Sequence, residues 1–338
     1  MPFYMVYSAM SGHRPYEAVV LLVEGSLPST SIAPMEILNS AGVLWEDFRG
    51  EKGTPLFRVR TASITGRATT HMIPVTIKPE CSIDEIRRAD LIIVPTAGSD
   101  LDEICRRNAP LMAWLRRWHK RGAAIAGICT GVTILAASGL LDGKPATTHW
   151  AFIPRLRARY PQVKWQAERF ITESDNVFCS GGVYASIDLS VHLVEKFGGH
   201  KVAMETAKSL LVETPRMWQA AYAGEPPEAS HDDEPIQKAQ RFLYRNFRDD
   251  VAVDDLASRV GMSARNFARR FKAATGDTPL EYVHRLRINA AKHLLESDVA
   301  SIQEVSSSVG YDDVIFFREL FKRHTGVPPS EYRIRFGG

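Results

Sequence analysis

Residues 124–143 read "AIAGICTGVTILAASGLLDG". A short apolar run ends at Gly127. Cys129 follows, then Thr130 and Gly131, and a segment of small residues takes over. This is the pattern of a buried strand that turns directly into a helix, with one cysteine set between two glycines at the turn. Such a cysteine is either a nucleophile or the floor of a pocket that only binds. The sequence on either side bears on both readings.

Up to about residue 215 the same grammar repeats. "EAVVLLVEG" (17–25), "LFRVRTASI" (56–64) and "DLIIVPTAG" (90–98) read as strands. "PMEILNSAG" (34–42) reads as a short helix with Pro34 early, and "APLMAWLRRWHKRG" (109–122) as a helix stopped by Gly122. Ser82 and Glu85 form a capping box. "AFIPRLRARYP" is helical, residues 163–180 read as a hairpin, and "YASIDLSVHLVEKFGG" (184–199) as a long helix ended by two glycines. Strands alternating with helices predict an α/β domain with a mostly parallel sheet flanked by helices. Ligands of such sheets sit at the C-terminal ends of the strands. The loops at 96–99 and 127–131 both fall there.

The chain has 338 residues, 45% hydrophobic and 24% charged, which suits two globular domains. No apolar run approaches the roughly 20 residues of a membrane span. The N-terminus lacks a basic start followed by an apolar stretch, so no signal peptide and no membrane partner are expected. The four cysteines, Cys81, Cys105, Cys129 and Cys179, form no C-x-x-C pair and no zinc-ligand spacing. No metal, no cofactor and a reducing, cytoplasmic setting are expected.

"AGEPPEASHDDEPIQ" (223–237), with three prolines and five carboxylates, reads as an exposed linker. The expected organisation is an α/β domain over 1–215, a linker over 216–237 and a helical domain over 238–338. From Arg259 onward thirteen Lys/Arg face nine Asp/Glu, although the whole chain carries only +3. The basic excess at this end hints at nucleic acid.

The helical domain repeats itself. "NFARRFKAATGDTPLEYVHRLR" (266–287) and "FFRELFKRHTGVPPSEYRIRF" (316–336) share Phe267/Phe317, Phe271/Phe321, Lys272/Lys322, Thr275/Thr325, Gly276/Gly326, Pro279/Pro329, Glu281/Glu331 and Tyr282/Tyr332, always 50 apart. Upstream, "DLASRVG" (255–261) matches "EVSSSVG" (304–310). Each copy reads as helix, glycine turn, helix, with Ser263 and Asp312 placed to cap the second helix. Packing explains the Phe, Gly and Pro positions. It leaves unexplained why Arg265, Asn266, Arg269 and Arg270 crowd one short helix. Arg and Asn at the start of such a helix are the side chains that read guanine and adenine edges of double-stranded DNA.

Residues 254–335 resemble the DNA-binding domain of the AraC/XylS family, most closely over "VSSSVGYDDVIFFRELFKRHTGVPPSEYR" (305–333). The resemblance implies two helix-turn-helix units joined by the helix 279–297. It places base-facing candidates at Arg265, Asn266, Ala268 and Arg269 in the first unit. In the second they are Asp313, Val314, Ile315 and Arg318. Because these four are mostly short or apolar, the second unit is expected to position the protein mainly on phosphates.

Residues 17–212 resemble the class I glutamine amidotransferase-like, PfpI-type fold, a flavodoxin-like architecture. The resemblance rests on "IAGICTGVTILAASGLLDGKPATTHW" (125–150) and "SGGVYASIDLSVHLVEKFGG" (180–199). In the enzymes of this fold the cysteine sits on a strained turn with a histidine to assist; Cys129 and His149 hold those places. The enzymes also carry an early glutamate, where "PSTSIAP" (28–34) offers Ser29, Thr30 and Ser31 and no acid. Ala97-Gly98 stands in for a Gly-Gly oxyanion loop. Without the acid, Thr30, Ala97, Gly98, Cys129, Thr130, His149 and Trp150 read as a ligand pocket. Backbone N–H groups there suit a carboxylate, and Trp150, if not simply core, suits an amine. The resemblance implies a homodimeric regulator of small nitrogen-containing metabolites such as amino acids or betaines, acting at promoters with RNA polymerase as a possible contact. Two alternatives stay open: a cysteine hydrolase or amidase fused to a DNA-binding domain, and a thiolate redox sensor.

Overall fold

The computed structural model describes residues 14–213, 231–297 and 300–337. The chain divides into two compact units. The first takes the described residues of Met1–Thr148, Gln162–Lys164 and Ile171–Arg216. The second takes those of His149–Pro161, Trp165–Phe170 and Met217–Gly338. Residues 216–230 of the expected linker lie outside the described residues.

The first unit opens with β1 (Tyr16–Leu21), α1 (Ser29–Ser40) and α2 (Leu44–Phe48). β2 (Phe57–Ser63), the short strands β3 (Thr69–Thr70) and β4 (Thr76–Ile77), and β5 (Cys81–Ser82) follow. β6 (Leu91–Val94) leads through α3 (Leu101–Arg107) and α4 (Ala109–Lys120) to β7 (Ala124–Ile128). Next come α5 (Val132–Ala137), β8 (Pro145–Ala146), α6 (Ile153–Arg159), which clusters with the second unit, and β9 (Lys164–Trp165). β10 (Ile171–Ser174), β11 (Val177–Ser180) and α7 (Ala185–Ser209) complete the unit.

The main sheet runs β10-β11-β7-β6-β1-β2-β5. All neighbours are parallel except the hairpin β10–β11. The central strands "AVVL", "LIIV" and "AIAGI" are buried throughout, as strands covered on both faces must be. Register sets Val20 beside Ile93 and Val94 beside Gly127. The chain leaves β1 toward β2 and returns to β6 on the other side, so the strand order reverses between β1 and β6. That is where an open sheet of this type has its crevice.

Two helices differ from the sequence reading. α1 begins at Ser29, five residues before the proline expected near its start. The rule that puts proline in the first turn is a preference; here Ser29–Ile32 make that turn, and Pro34 follows in the second. The glycine pair does interrupt the helix after 185, Gly199 standing at φ 82° and ψ 168°, but helix resumes and reaches Ser209. The Ser82–Glu85 capping box is present, and it caps a single 3-10 turn, Ile83–Glu85.

The second unit continues with α8 (Glu234–Asn246), α9 (Val253–Arg259), α10 (Ala264–Thr275) and α11 (Pro279–Ser297). α12 (Ile302–Ser308), α13 (Val314–Thr325) and α14 (Pro329–Phe336) follow. α8 starts inside the stretch read as exposed linker, because Asp233 caps it, accepting from the Ile236 N–H, and Pro235 suits the first turn. Two cores form. One gathers Leu256, Phe267, Phe271 and Tyr282; the other gathers Val305, Phe317, Phe321 and Tyr332. The 50-residue offset survives in geometry. Phe271 meets Tyr282 edge-on at 5.3 Å and Phe321 meets Tyr332 edge-on at 5.4 Å. Gly276 and Gly326 end α10 and α13 at φ 85° and 86°, a conformation that only glycine adopts without strain.

Candidate binding site and nucleic-acid interface

Cys129 is buried and stands at φ 51°, one of the few non-glycine residues with positive φ. A single 3-10 turn, Cys129–Gly131, joins β7 to α5. The two flanking glycines have different reasons. A Cβ on Gly131 would lie 2.1 Å from the Pro95 carbonyl oxygen and 2.7 Å from that of Val94. A Cβ on Gly127 would meet the Leu135 side chain at 2.9 Å. The turn is therefore pressed against the backbone at the end of β6, where only glycine fits at 131, and α5 packs closely on β7 through the Leu135 side chain.

Hydrogen bonds fix this crossing. Thr130 Oγ1 accepts from the Ala97 N–H (3.1 Å), and Thr148 donates to the Cys129 carbonyl (2.6 Å). Thr30 donates to the Leu27 carbonyl (2.7 Å) and accepts from the Thr96 N–H (3.2 Å). Thr30, Ala97, Cys129 and Thr130 are thus brought together by the ends of β1, β6 and β7. Gly98, at φ 100°, lies beside Gly25, whose carbonyl oxygen is 3.9 Å from where a Gly98 Cβ would be.

His149 and Trp150 fall in the second unit. His149 Nδ1 accepts from the Ala151 N–H (3.2 Å), and burial lowers the imidazole pKa. The neutral ring then carries its proton on Nε2. Trp150 lies tilted against His149, ring centroids 5.3 Å apart. All four cysteines are thiols. Burial pushes Cys179 up to about 12 and raises Cys81, which disfavours the reactive thiolate at both.

One polar cluster escapes the sequence reading. The Ser26 hydroxyl, fully buried, lies 2.8 Å from His71 Nδ1, and His71 Nε2 lies 3.3 Å from Thr69 Oγ1. Glu24 accepts from the N–H (2.9 Å) and hydroxyl (2.7 Å) of Thr70. These bonds fasten β3 to the segment leaving β1, next to Gly25. The signals are "VEGS" (23–26) and "TTHM" (69–72), but nothing local says that they meet.

In the second unit, Arg265 and Arg269 are exposed, and Asn266 and Ala268 half-buried, along α10. Arg269 donates to the Asn266 side-chain oxygen (2.9 Å), which orients that amide. Arg270 does not join them. It forms a two-pronged pair with Asp233 at 2.8 and 2.9 Å, and so braces α10 against the start of α8. On α13, Arg318 is exposed, Val314 half-buried and Ile315 67% exposed. Asp313, not Asp312, is the cap: its Oδ1 accepts from the N–H groups of Ile315 (2.8 Å) and Phe316 (3.2 Å). Asp313 directly precedes the helix, the position from which a carboxylate reaches the second and third N–H groups. Ser263 holds the matching place before α10 without a side-chain cap bond.

Sequence reading also missed Arg287, on α11. Its guanidinium donates to the carbonyls of Phe247 (2.6 Å), Gly310 (2.7 Å) and Asp249 (2.9 Å), and lies 4.9 Å from the Tyr311 ring. One side chain thereby ties the end of α8, in the first helix-turn-helix core, to the turn of the second.

Among the described residues no helix is long and apolar enough to cross a membrane, and no cluster of His, Cys, Asp or Glu could hold a metal ion.

Residues 18–196 match the DJ-1/PfpI family and residues 256–335 match a helix-turn-helix domain. The chain is similar to the HTH-type transcriptional regulator CdhR of Pseudomonas aeruginosa. The two are 25% identical over 291 residues, 82% of each protein. It is 25% identical to GbdR of the same organism, over 83% of this chain and 76% of that regulator. Over 58% of this chain the fold is that of a crystal structure of a protein from Vibrio parahaemolyticus, all of which is covered (TM-score 0.52, 22% identity). The chain belongs to the DJ-1/PfpI family and joins that α/β domain to an AraC-type helix-turn-helix domain, the build of a DNA-binding transcriptional regulator.

Proposed function

We propose that the protein is a metabolite-responsive regulator of transcription whose α/β domain binds its effector and does not turn it over. The effector is a small nitrogen-containing compound. It sits at the ends of β1, β6 and β7, around Thr30, Ala97, Gly98, Cys129 and Thr130. Effector binding changes the geometry of a homodimer, and the paired helix-turn-helix units carry the change to promoter DNA and RNA polymerase. On α10 the base-reading residues are Arg265, Asn266, Ala268 and Arg269.

One observation carries the choice of binding over catalysis. The Thr30 hydroxyl, in the stretch where enzymes of this fold carry an acid, is committed to Leu27 and Thr96. A threonine there takes no proton from a thiol. What remains at the Cys129 turn is a rigid, hydrogen-bonded floor of small side chains and backbone groups, which suits recognition.

A thermal-shift screen of the full chain and Cys129→Ser, against amino acids, betaines and related amines, tests this. The expected result is a compound that raises the Tm of both proteins and is recovered unchanged. A compound that stabilises only Cys129→Ser, and returns chemically altered from the unmodified protein, overturns the reading in favour of a cysteine hydrolase.

A further inference from the structure

We propose that α13 reads thymine through its C5 methyl group, with Ile315 and Phe316 as the contacting side chains. This rests on the DNA-reading role proposed above and identifies what the second unit recognises. α10 and α13 are both twelve residues long and start 50 residues apart. Position for position, Arg265 corresponds to Ile315 and Asn266 to Phe316. The two helices share one scaffold, the same aromatic core geometry and the same glycine stop. They differ at the exposed start, where one carries a guanidinium and an amide and the other an aliphatic chain and a ring.

Ile315 lies outside the core and Phe316 only borders it. Ile315 is 67% exposed and Phe316 44% exposed, while Phe317, Leu320 and Phe321 fill the interior. Phe316 is nevertheless held in place, its ring 5.8 Å from Tyr311 and 6.3 Å from His284. Single exposed apolar residues are ordinary, but an adjacent pair at the start of a helix rimmed with charge is not. Arg318, Lys322 and Arg323 lie exposed along the same helix, with one acid, Glu319, among them. The exposed Asp312 and Asp313 precede the tip, and the cations follow it along the helix, Arg318 nearest and Lys322 and Arg323 in the last turn; an apolar tip with cations behind it fits a methyl group with phosphates to one side. In the major groove only thymine offers such a group among the four bases. The second unit is therefore a sequence reader by shape and apolar contact, and not only an anchor on phosphates.

The test replaces thymine with uracil, which removes the methyl and keeps every hydrogen-bonding group. The probe is the duplex that the full chain recovers by in vitro selection from a random pool. Footprinting with Arg269→Ala and Ile315→Ala assigns its two halves. Uracil at one thymine in the α13 half is expected to weaken binding about fourfold, the worth of one buried methyl-sized group. The same swap is expected to leave the double variant Ile315→Ala, Phe316→Ala unaffected, and swaps in the α10 half to leave the unmodified protein unaffected at positions read by hydrogen bonds. Unchanged affinity for uracil throughout the α13 half, with selection over random DNA intact, overturns the proposal and leaves DNA reading standing. A chain that selects no sequence overturns both.

Discussion

Replacing Arg287 with methionine keeps the stem of the side chain and removes its five donors. The guanidinium makes three short bonds to carbonyl oxygens, at 2.6, 2.7 and 2.9 Å, from a half-buried position on α11. Bonds from a charged group contribute about 1.5–3 kcal/mol each, and the low end applies where water reaches the acceptors. The freed side chain recovers up to about 2 kcal/mol of rotamer entropy. The net cost is about 3 kcal/mol, with Arg287→Lys intermediate because an ammonium reaches one carbonyl where the fork reaches three. Urea unfolding of the full chain measures this. The second consequence is functional. Phe247 packs on the core around Phe267, and Gly310 lies in the turn before α13, so the guanidinium ties the unit of α10 to the unit of α13. One base pair inserted between the two halves of a selected site shifts one half by about 3.4 Å along the helix and rotates it. The unmodified protein is expected to reject that duplex, and Arg287→Met to discriminate much less. If Arg287→Met unfolds within about 0.5 kcal/mol of the unmodified chain and still rejects the insertion, α11 alone sets the spacing and the reasoning about the clamp is wrong.

Gly131→Ala is expected to lower the Tm of the α/β domain by roughly 2–12 °C, since its Cβ meets backbone that cannot swing aside. A change under 2 °C in scanning calorimetry would show that the Cys129 turn is not clamped. Arg269→Ala is expected to cost about 1–3 kcal/mol at one base pair and relax the preference there. Equal weakening on all sequences, measured by competition binding, would make Arg269 a phosphate contact. Burial pushes the Lys292 ammonium down to about 8, with Glu296 partly restoring it. The folded state then binds fewer protons than the unfolded chain between about pH 8 and pH 10.4. Stability is expected to rise with pH across that window, by up to about 3 kcal/mol. Tyr311, which burial pushes up to about 12, acts in the opposite direction above pH 10. Calorimetry of Lys292→Met at pH 8 and pH 9.5 is expected to show this slope abolished; an unchanged slope would place its origin elsewhere.

The parts of the fold legible in the sequence are those whose cause is local. A strand of "AIAGI" followed by a cysteine between glycines can only turn sharply, and it does. The repeat at 50 residues was plain because packing demands the same aromatic rings twice. The site was less legible, because its members are defined by distant partners. Thr30 is bonded to residue 96, Arg270 to residue 233 and Arg287 to residues 247, 249 and 310. In the sequence, Arg270 looks like Arg269. Only the carboxylate of Asp233 sets Arg270 apart as a brace. The cap of α13 shows the same limit at short range. Asp312 and Asp313 are adjacent and chemically identical, and the backbone alone decides which one faces the helix.

The two helix-turn-helix units have kept their shared interior and diverged at their tips, and physical chemistry gives a reason for the divergence. A guanidinium or an amide gains most against a base edge whose donors and acceptors it matches, and it leaves a buried unpaired group when the base is wrong. An isoleucine or a phenylalanine leaves no such group, so its discrimination per base pair is smaller. Its gain comes from removing water from apolar surface, a contribution that added salt does not screen. A protein with one tip of each kind combines a stringent half and a tolerant half on one rigid frame. The frame then matters as much as either tip: the tolerant half adds specificity only if it is carried to a fixed distance from the stringent one. That places Arg287, which touches no base in this account, among the residues on which sequence selectivity depends.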